Sequence, residues 1–150
     1  MAKLDEQKKV LVEYFQQGCK PEGKLTLGLE VEHFVTHPGG EPVTFDEIQS
    51  VMRQMQQPYD TSIVIDGEYM GYTTETYGVS LEPACQVEIS IIPQGNVLKI
   101  MDIYNQFYLQ LSMTLAARGL RAWTVSYHPT RRAEELPLIQ IGRASCRERV

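Results

Sequence analysis

The stretch that decides the fold is LTLGLEVEHFV at residues 25–35, in which apolar residues alternate with others. Its leucines and valines all occupy odd positions and share one side of a strand, while Glu30 and Glu32 share the other side. The alternation predicts a long strand over residues 24–36, with its apolar side packed against a core. The turn residues HPGG at positions 37–40 end this strand.

Three helices are predicted from apolar residues that recur every three or four positions. The first spans residues 3–18. The second begins at the capping box TFDE of residues 44–47, where the threonine and glutamate side chains bind each other's backbone N–H groups, and it ends before Pro58. The third begins at Asn96, whose side chain can cap it, and stops at Gly119.

Four further short strands are predicted at residues 62–65, 79–82, 86–91 and 120–126. We expect the Pro83-Ala84-Cys85 break between two of them to be a bulge or a sheet edge, because proline lacks the N–H that a strand donates. Consecutive strands with short links favour an antiparallel or mixed sheet, and together with the helices they predict an α+β fold.

Composition restricts the class of protein. The chain has 150 residues, of which 43% are hydrophobic, and a formal net charge of -5, so it can form one core and shows no basic surface for nucleic acid or anionic membranes. No apolar run approaches the roughly 20 residues of a membrane span. The three cysteines are too scattered for a disulfide framework or a zinc motif, which predicts a reduced, cytoplasmic protein.

Two acidic stripes carry the functional prediction. Glu30 and Glu32 share one side of the first strand, and Glu88 shares a side of a later strand with Gln86 and Ser90. We expect Glu30 and Glu32 to be turned away from water, where close like charges are costly unless a cation neutralises them. Because Mg²⁺ binds carboxylates together with water and phosphate oxygens, the stripes indicate a magnesium–ATP site. Two ordinary solvated sheet faces are the alternative at this point.

Four ordered motifs carry a resemblance to a known family: LTLGLEVEHFV at 25–35, VSLEPACQVEISIIP at 79–93, GLRAWTVSYHP at 119–129 and LPLI at 136–139. On these motifs the sequence resembles glutamate–cysteine ligase, in a bacterial form, over nearly all of residues 1–139. The resemblance implies an α+β fold with a glutamine-synthetase-like funnel of antiparallel β-strands and flanking helices, here truncated. It also implies an enzyme that uses ATP to activate the glutamate γ-carboxylate as an acyl phosphate, which the cysteine amine then attacks.

The resemblance also assigns site residues. Glu30, Glu32 and Glu88 match metal-ligand positions, and Glu82 and Gln86 match the polar lining of the ATP site. The implied cofactors are Mg²⁺ and ATP, the latter as a substrate. The implied partners are the small molecules glutamate, cysteine and ATP, without nucleic acid or membrane, and no catalytic side chain is assigned.

Several other residues have both a functional and a structural interpretation. Cys85 lies in a turn where the family carries glycine, and we expect a small buried thiol without a catalytic role. His33 points away from Glu32 and is predicted to be structural. His128 lies in a Tyr-His-Pro turn on the substrate side or is a satisfied loop histidine, and Arg131 and Arg132 either meet a substrate carboxylate or are solvated.

The end of the chain, IGRASCRERV at residues 141–150, has no core pattern and resembles the translation of a common sequencing-adapter oligonucleotide. We therefore expect residues 1–139 to be the amino-terminal part of a ligase catalytic domain and residues 140–150 to be a non-native tail. A basic disordered tail is the alternative. On the first interpretation the 150-residue chain is inactive alone. A related carboxylate–amine ligase with another amine acceptor, and a non-catalytic fragment, are the competing functions.

Overall fold

The computed structural model describes residues 2–21, 23–59 and 61–137. In chain order its helices and strands are α1 (Ala2–Gln17), β1 (Leu27–Thr36), α2 (Phe45–Gln56), β2 (Thr61–Ile65), β3 (Glu68–Thr73), β4 (Tyr77–Glu82), β5 (Gln86–Gln94), α3 (Val97–Ala116) and β6 (Arg121–Trp123). The six strands form one sheet in the order β2-β3-β4-β5-β1-β6, and every neighbouring pair is antiparallel. The predicted α+β class is therefore confirmed, while the funnel stays a prediction.

The core lies between one face of the sheet and the helices α2 and α3. Val87 and Ile89 of β5 are fully buried there, together with Met52 of α2 and Leu111 of α3. By contrast, α1 is exposed along its length from Lys3 onward. Because both packed helices cover the same face, the opposite face of the sheet carries no helix among the described residues.

The helix boundaries follow the capping signals of the sequence. The Thr44 Oγ1 accepts the backbone N–H of Glu47 at 3.3 Å, and the Glu47 carboxylate accepts the backbone N–H of Thr44 at 2.8 Å. The Asn96 Oδ1 accepts the backbone N–H of Leu98 at 2.9 Å, which caps α3. The three predicted helices are thus confirmed. Within the described part of the chain, none of them combines the length and apolarity needed to cross a membrane.

The strand β3 was not predicted from the sequence. Its segment EYMGYT contains Gly71 in mid-strand, and glycine inside an apolar run suggests a break. In the structure Gly71 has a φ of 151°, and a Cβ there would overlap the carbonyl oxygen of Val79 on β4. The glycine therefore permits a close approach of two paired strands rather than ending one.

The prediction for Pro83-Ala84-Cys85 was wrong. These residues form the turn of a hairpin that joins β4 to β5, and Glu82 and Gln86 are its closing pair. Both strands lie inside the sheet, so neither is an edge. The chain can reverse here because residues 84 and 85 adopt the left-handed conformation, with φ values of 63° and 58°.

The last strand is shorter than predicted. β6 ends at Trp123 instead of continuing to Ser126, and it pairs with residues 34–36 at the end of β1. The indole Nε1 of Trp123 donates to the Thr36 Oγ1 at 3.0 Å. Residues 124–126 therefore lie outside the sheet and form an irregular segment after β6.

Candidate functional site

The acidic residues meet on the face of the sheet opposite the core, which we call the open face. β1 and β5 are neighbours, and their antiparallel register places Glu32 opposite Glu88 and Glu30 opposite Ser90. Residues paired in this way point to the same face, with Cβ atoms about 5 Å apart. The structure therefore brings together the two stripes that the sequence placed on separate strands.

These side chains line an open depression of about 440 Å³, a size within the roughly 300–1,000 Å³ range of small-molecule sites. Its lining consists of Glu30, Glu32, Gln86, Glu88, Thr124, Val125 and Ser126. All of these residues except Val125 have polar side chains. The depression therefore offers polar and charged groups to a ligand.

The electrostatics of the depression favour a cation. Glu32 and Glu88 form a directly opposed pair of like charges, which destabilises a sheet in the absence of a counter-ion. The Ser90 Oγ donates to the Glu88 Oε1 at 2.9 Å, and this hydrogen bond orients the carboxylate. A bound cation would remove the repulsion between the two strands.

The expectation that Glu30 and Glu32 are turned away from water was wrong for this structure. Both residues are exposed, and Glu88 is half-buried. The reason is that the two packed helices cover only the core face, so water reaches the carboxylates from the open side. The cost of burying charge therefore does not apply to Glu30 and Glu32, and the argument for a cation rests on their proximity.

The residues at the site are compatible with Mg²⁺ but do not enclose it. Among the described residues no group of three or more His, Cys, Asp or Glu side chains is arranged to hold a metal ion. Mg²⁺, however, is usually bound through one or two carboxylates and keeps several waters, with substrate phosphates completing its shell. The opposed pair of Glu32 and Glu88 supplies that number of carboxylates on an open surface.

The two predicted ATP-lining residues differ in position. Gln86 lines the depression, and its Nε2 donates to the carbonyl oxygen of Pro83 at 3.1 Å, which orients the side chain within its own turn. Glu82 is half-buried and pairs with Gln86 across the hairpin, but it is not among the residues that line the depression. The structure thus places Gln86 at the site and Glu82 beside it.

Cys85 has no direct access to the open face. It is fully buried and belongs to the core cluster. Burial raises the pKa of its thiol to about 11, and the charge of Glu47 acts in the same direction. The thiol therefore stays protonated at neutral pH, which confirms the expectation of a small buried cysteine.

His33 is a structural residue beneath the acidic pair. Its ring is fully buried, and its Nδ1–H donates to the carbonyl oxygen of Val87 at 3.0 Å. Its Nε2 then accepts the Tyr104 hydroxyl at 3.0 Å, so both ring nitrogens are satisfied. Burial lowers the pKa of His33, and the bond to Val87 opposes that shift only in part. A neutral imidazole thus ties α3 to the strands that carry Glu32 and Glu88.

Residues 124–126 are site residues that the sequence did not reveal, because they were assigned to a strand. In the structure they form one wall of the depression, facing the carboxylates of β1 and β5. One feature of the sequence does indicate them: they lie just before the Tyr-His-Pro turn, where a short edge strand can end early. Binding residues lie disproportionately on loops that a rigid sheet positions.

His128 and the two following arginines have different surroundings. His128 is buried, and its Nδ1 accepts the backbone N–H groups of Thr130 and Arg131 at 3.3 and 3.1 Å. Burial, assisted by the charge of Arg131, lowers the pKa of His128. Arg131 and Arg132 are both exposed. The structure therefore agrees with solvated arginines and gives His128 a place inside the loop.

The sequence of this chain is similar to that of a known protein family. The sequence model of glutamate–cysteine ligase family 2 matches residues 26–144, which is most of the chain. The match includes both acidic stripes and the segment that walls the depression. Residues 140–150, predicted to be a non-native tail, lie outside the residues that the structure describes.

Individual relatives agree with the family match. The chain is 24% identical over 138 residues to the chloroplastic glutamate–cysteine ligase of Medicago truncatula, covering 91% of this chain and 27% of that protein. It is 24% identical over 135 residues to the chloroplastic enzyme of Arabidopsis thaliana, covering 89% and 26%. For the chloroplastic glutamate–cysteine ligase A of Oryza sativa subsp. japonica the identity is 25% over 138 residues, covering 91% and 28%. The chain thus spans about a quarter of the length of these curated relatives.

Proposed function

The chain belongs to glutamate–cysteine ligase family 2, and from that premise we propose that it is part of an ATP-dependent ligase that joins glutamate to cysteine. In this reaction the γ-phosphoryl group of ATP passes to the glutamate γ-carboxylate and ADP leaves. The cysteine amine then displaces phosphate from the γ-glutamyl phosphate, giving γ-glutamylcysteine in the first step of glutathione biosynthesis. The bacterial form, the cytoplasmic location and the glutamine-synthetase-like funnel are further parts of this proposal.

One observation carries the proposal. Glu32 of β1 and Glu88 of β5 are directly opposed on the open face, and Glu30 lies two residues from Glu32 on the same face. An opposed pair of carboxylates with a third beside it, in an open depression, offers a surface for a hard cation and its phosphate ligands. This arrangement is what transfer of a phosphoryl group requires of a protein, because such catalysis consists mainly of positioning and charge neutralisation.

Each residue has a defined task in this proposal. The opposed carboxylates of Glu32 and Glu88 would hold Mg²⁺, the exposed side chain of Glu30 would turn toward the ion to join them, and Ser90 keeps the Glu88 carboxylate in place. Gln86 offers its side-chain amide to the polar rim of the ATP site. Bound Mg²⁺ would supply charge neutralisation for the phosphate oxygens.

The metal assignment is tested on the 150-residue chain by titration calorimetry with MgCl₂ at low ionic strength. Glu30→Gln and Glu88→Gln each remove one negative charge and one metal ligand while preserving shape. We expect each to weaken Mg²⁺ binding by about tenfold or more, as expected for loss of a charged ligand.

The matched control is Glu68→Gln, which removes the same charge from an exposed position of β3 that does not line the depression. It should bind Mg²⁺ as the unchanged chain does. If Glu30→Gln and Glu88→Gln also bind like the unchanged chain, these carboxylates are not the metal ligands.

The activity is tested on a form of the protein as long as its relatives. Phosphate release from ATP should require glutamate and cysteine together, and γ-glutamylcysteine should accumulate. Faster turnover with another amine would instead assign a related carboxylate–amine ligase. We expect no product from the 150-residue chain, because it spans about a quarter of the relatives' length, and γ-glutamylcysteine made by this chain alone would refute that expectation.

A further inference from the structure

His128 lies buried on the open face, at the border of the acidic depression. Only 8% of the residue is exposed, and its ring meets the Phe34 ring edge-on, with centroids 5.4 Å apart and planes at 80°. Phe34 follows Glu32 by two positions on β1 and therefore points to the same face. The histidine thus packs against the strand that carries two of the site carboxylates, without itself lining the depression.

The ring of His128 organises the turn that follows it. Because its Nδ1 accepts the backbone N–H groups of Thr130 and Arg131, this nitrogen carries no proton, and the neutral ring is protonated at Nε2. The two bonds reproduce those that an Asn or Asp side chain makes to backbone N–H groups two and three residues later. The Nε2 atom is buried and has no hydrogen-bond partner among the described residues.

The organised turn is docked against the loop that follows β1. The Thr130 hydroxyl donates to the carbonyl oxygen of Gly40. Gly40 has a φ of 88°, and a Cβ at that position would lie 2.5 Å from the Thr130 Cγ2. The absence of a side chain at Gly40 therefore permits this contact. The turn is thus held both by the ring of His128 and by the hydroxyl of Thr130.

We propose that His128 is a positioning residue of the acidic site, and that it holds residues 124–126 as the wall of the depression. This wall is short and lies between two anchors. At one end Trp123 is paired in β6 and bound to Thr36. At the other end the His128 Nδ1 accepts the backbone N–H groups of the turn that the Thr130 hydroxyl docks on Gly40. This inference rests on the proposed function, because it assigns the wall to the same ligand site.

The test separates the hydrogen-bonding role of His128 from its packing role. His128→Asn retains an acceptor equivalent to Nδ1 but loses the ring, whereas His128→Phe retains the ring but loses the acceptor. Both are made in the 150-residue chain and studied by NMR. The readouts are amide hydrogen exchange at Thr130 and Arg131 and the chemical shifts of residues 124–126.

We expect His128→Phe to accelerate amide exchange at Thr130 and Arg131 by about tenfold, because each amide loses its acceptor. The resonances of residues 124–126 should move or broaden in the same variant. In His128→Asn the exchange rates and the wall resonances should stay near those of the unchanged chain. If instead His128→Phe leaves both readouts unchanged, or His128→Asn is the more damaging variant, the ring acts by packing alone and the proposal is wrong.

A titration with Mn²⁺ as a paramagnetic probe distinguishes this inference from the proposed function. In the unchanged chain and in His128→Asn, Mn²⁺ should broaden the amides of Glu32 and Glu88 and those of residues 124–126. In His128→Phe it should still broaden Glu32 and Glu88 but lose its effect on the wall. If no amide of the acidic strands broadens in any form, the metal site fails, and the exchange data alone still decide the role of His128.

Discussion

At the residue scale, the hairpin between β4 and β5 carries an unusual backbone. Ala84 has a φ of 63° and a ψ of 26°, a left-handed conformation that costs a side-chain-bearing residue roughly 1–2 kcal/mol. Strain of this kind is often retained near functional sites. Here the turn sets the register of Glu82 with Gln86 and, two residues further along β5, the position of Glu88.

Ala84→Gly should therefore stabilise the chain. Glycine adopts a positive φ without penalty, and this gain exceeds its extra entropy in the unfolded chain. We expect the free energy of unfolding to rise by roughly 0.5–1 kcal/mol. The control is Ala116→Gly at the exposed end of α3, which should lower stability by up to about 1 kcal/mol. Urea denaturation measures both, and a less stable Ala84→Gly variant would contradict the strain argument.

Gly40 offers a second test at the same scale. Gly40 and Gly67 have nearly equal φ values of 88° and 87°, so replacement by alanine costs both about the same backbone energy. Only at Gly40 would the new Cβ collide with Thr130, since nothing lies within 4 Å at Gly67.

We expect Gly40→Ala to lose about 1–3 kcal/mol more stability than Gly67→Ala, the usual cost of a forced overlap. Thermal or urea unfolding of the two variants gives the difference. Gly40→Ala should also speed amide exchange at residues 128–131, because the turn has to move away. Equal losses in the two variants would show that Thr130 is not held against Gly40.

The residue scale also shows what sequence patterns can and cannot reveal. Glu30, Glu32 and Glu88 could be placed on one face because side-chain alternation is local and independent of the rest of the fold. Their exposure could not be predicted, because it depends on which face the helices cover. The place of residues 124–126 at the site could not be predicted, because it depends on where β6 stops pairing with β1.

At the element scale, α2 is the element that packs against β3 and supports one end of the sheet. Its first turn is held by reciprocal hydrogen bonds between Thr44 and Glu47. The backbone N–H of Thr44 is the main cause of a lowered pKa at Glu47, so the carboxylate is favoured in its charged form.

Thr44→Ala should lower the free energy of unfolding by about 1 kcal/mol, because one end of the capping box is lost. Thr44→Ser keeps the hydroxyl and should stay within about 0.5 kcal/mol of the unchanged chain. Thermal unfolding followed by circular dichroism distinguishes the two. If the alanine and serine variants unfold at the same temperature, the side-chain cap contributes nothing.

The helices and strands differ in how well the sequence predicts them. The helices α2 and α3 were predictable because capping residues and apolar spacing agree. The strand β3 was not predictable, because its one glycine permits a close approach to the next strand, β4, and that contact does not show in the alternation of side chains within β3. The hairpin turn at Pro83 was not predicted either. Its residues Ala84 and Cys85 adopt the left-handed conformation that is normally typical of glycine, so the sequence carries no turn signal there.

At the scale of the whole molecule, the two faces of one sheet have separate tasks. The core face packs α2 and α3, and the open face carries the acidic depression. The strand order could not be predicted from the sequence, because β1 pairs with β5 across more than fifty intervening residues. Only that long-range pairing turns two ordinary acidic stripes into one candidate site.

Two buried histidines couple the stability of the whole chain to pH. His33 is buried on the core side of the sheet, and His128 is buried on the open face. Burial lowers the pKa of both histidines below the ordinary value of 6.5. The folded chain therefore binds these protons more weakly than the unfolded chain. Their contribution to stability is fully present above pH 6.5 and is lost as the pH falls through the lowered pKa values.

We therefore expect the free energy of unfolding to decrease as the pH falls below about 6.5, measured by urea denaturation in buffers of equal ionic strength. Glu47 adds a separate loss only below its ordinary pKa of 4.5, so it does not interfere. His128→Asn keeps the acceptor for Thr130 and Arg131 but cannot titrate, and it should make the decrease shallower. A decrease as steep in His128→Asn as in the unchanged chain would show that His128 is not held neutral by its burial, and a flat profile in the unchanged chain would contradict the neutral state of both rings.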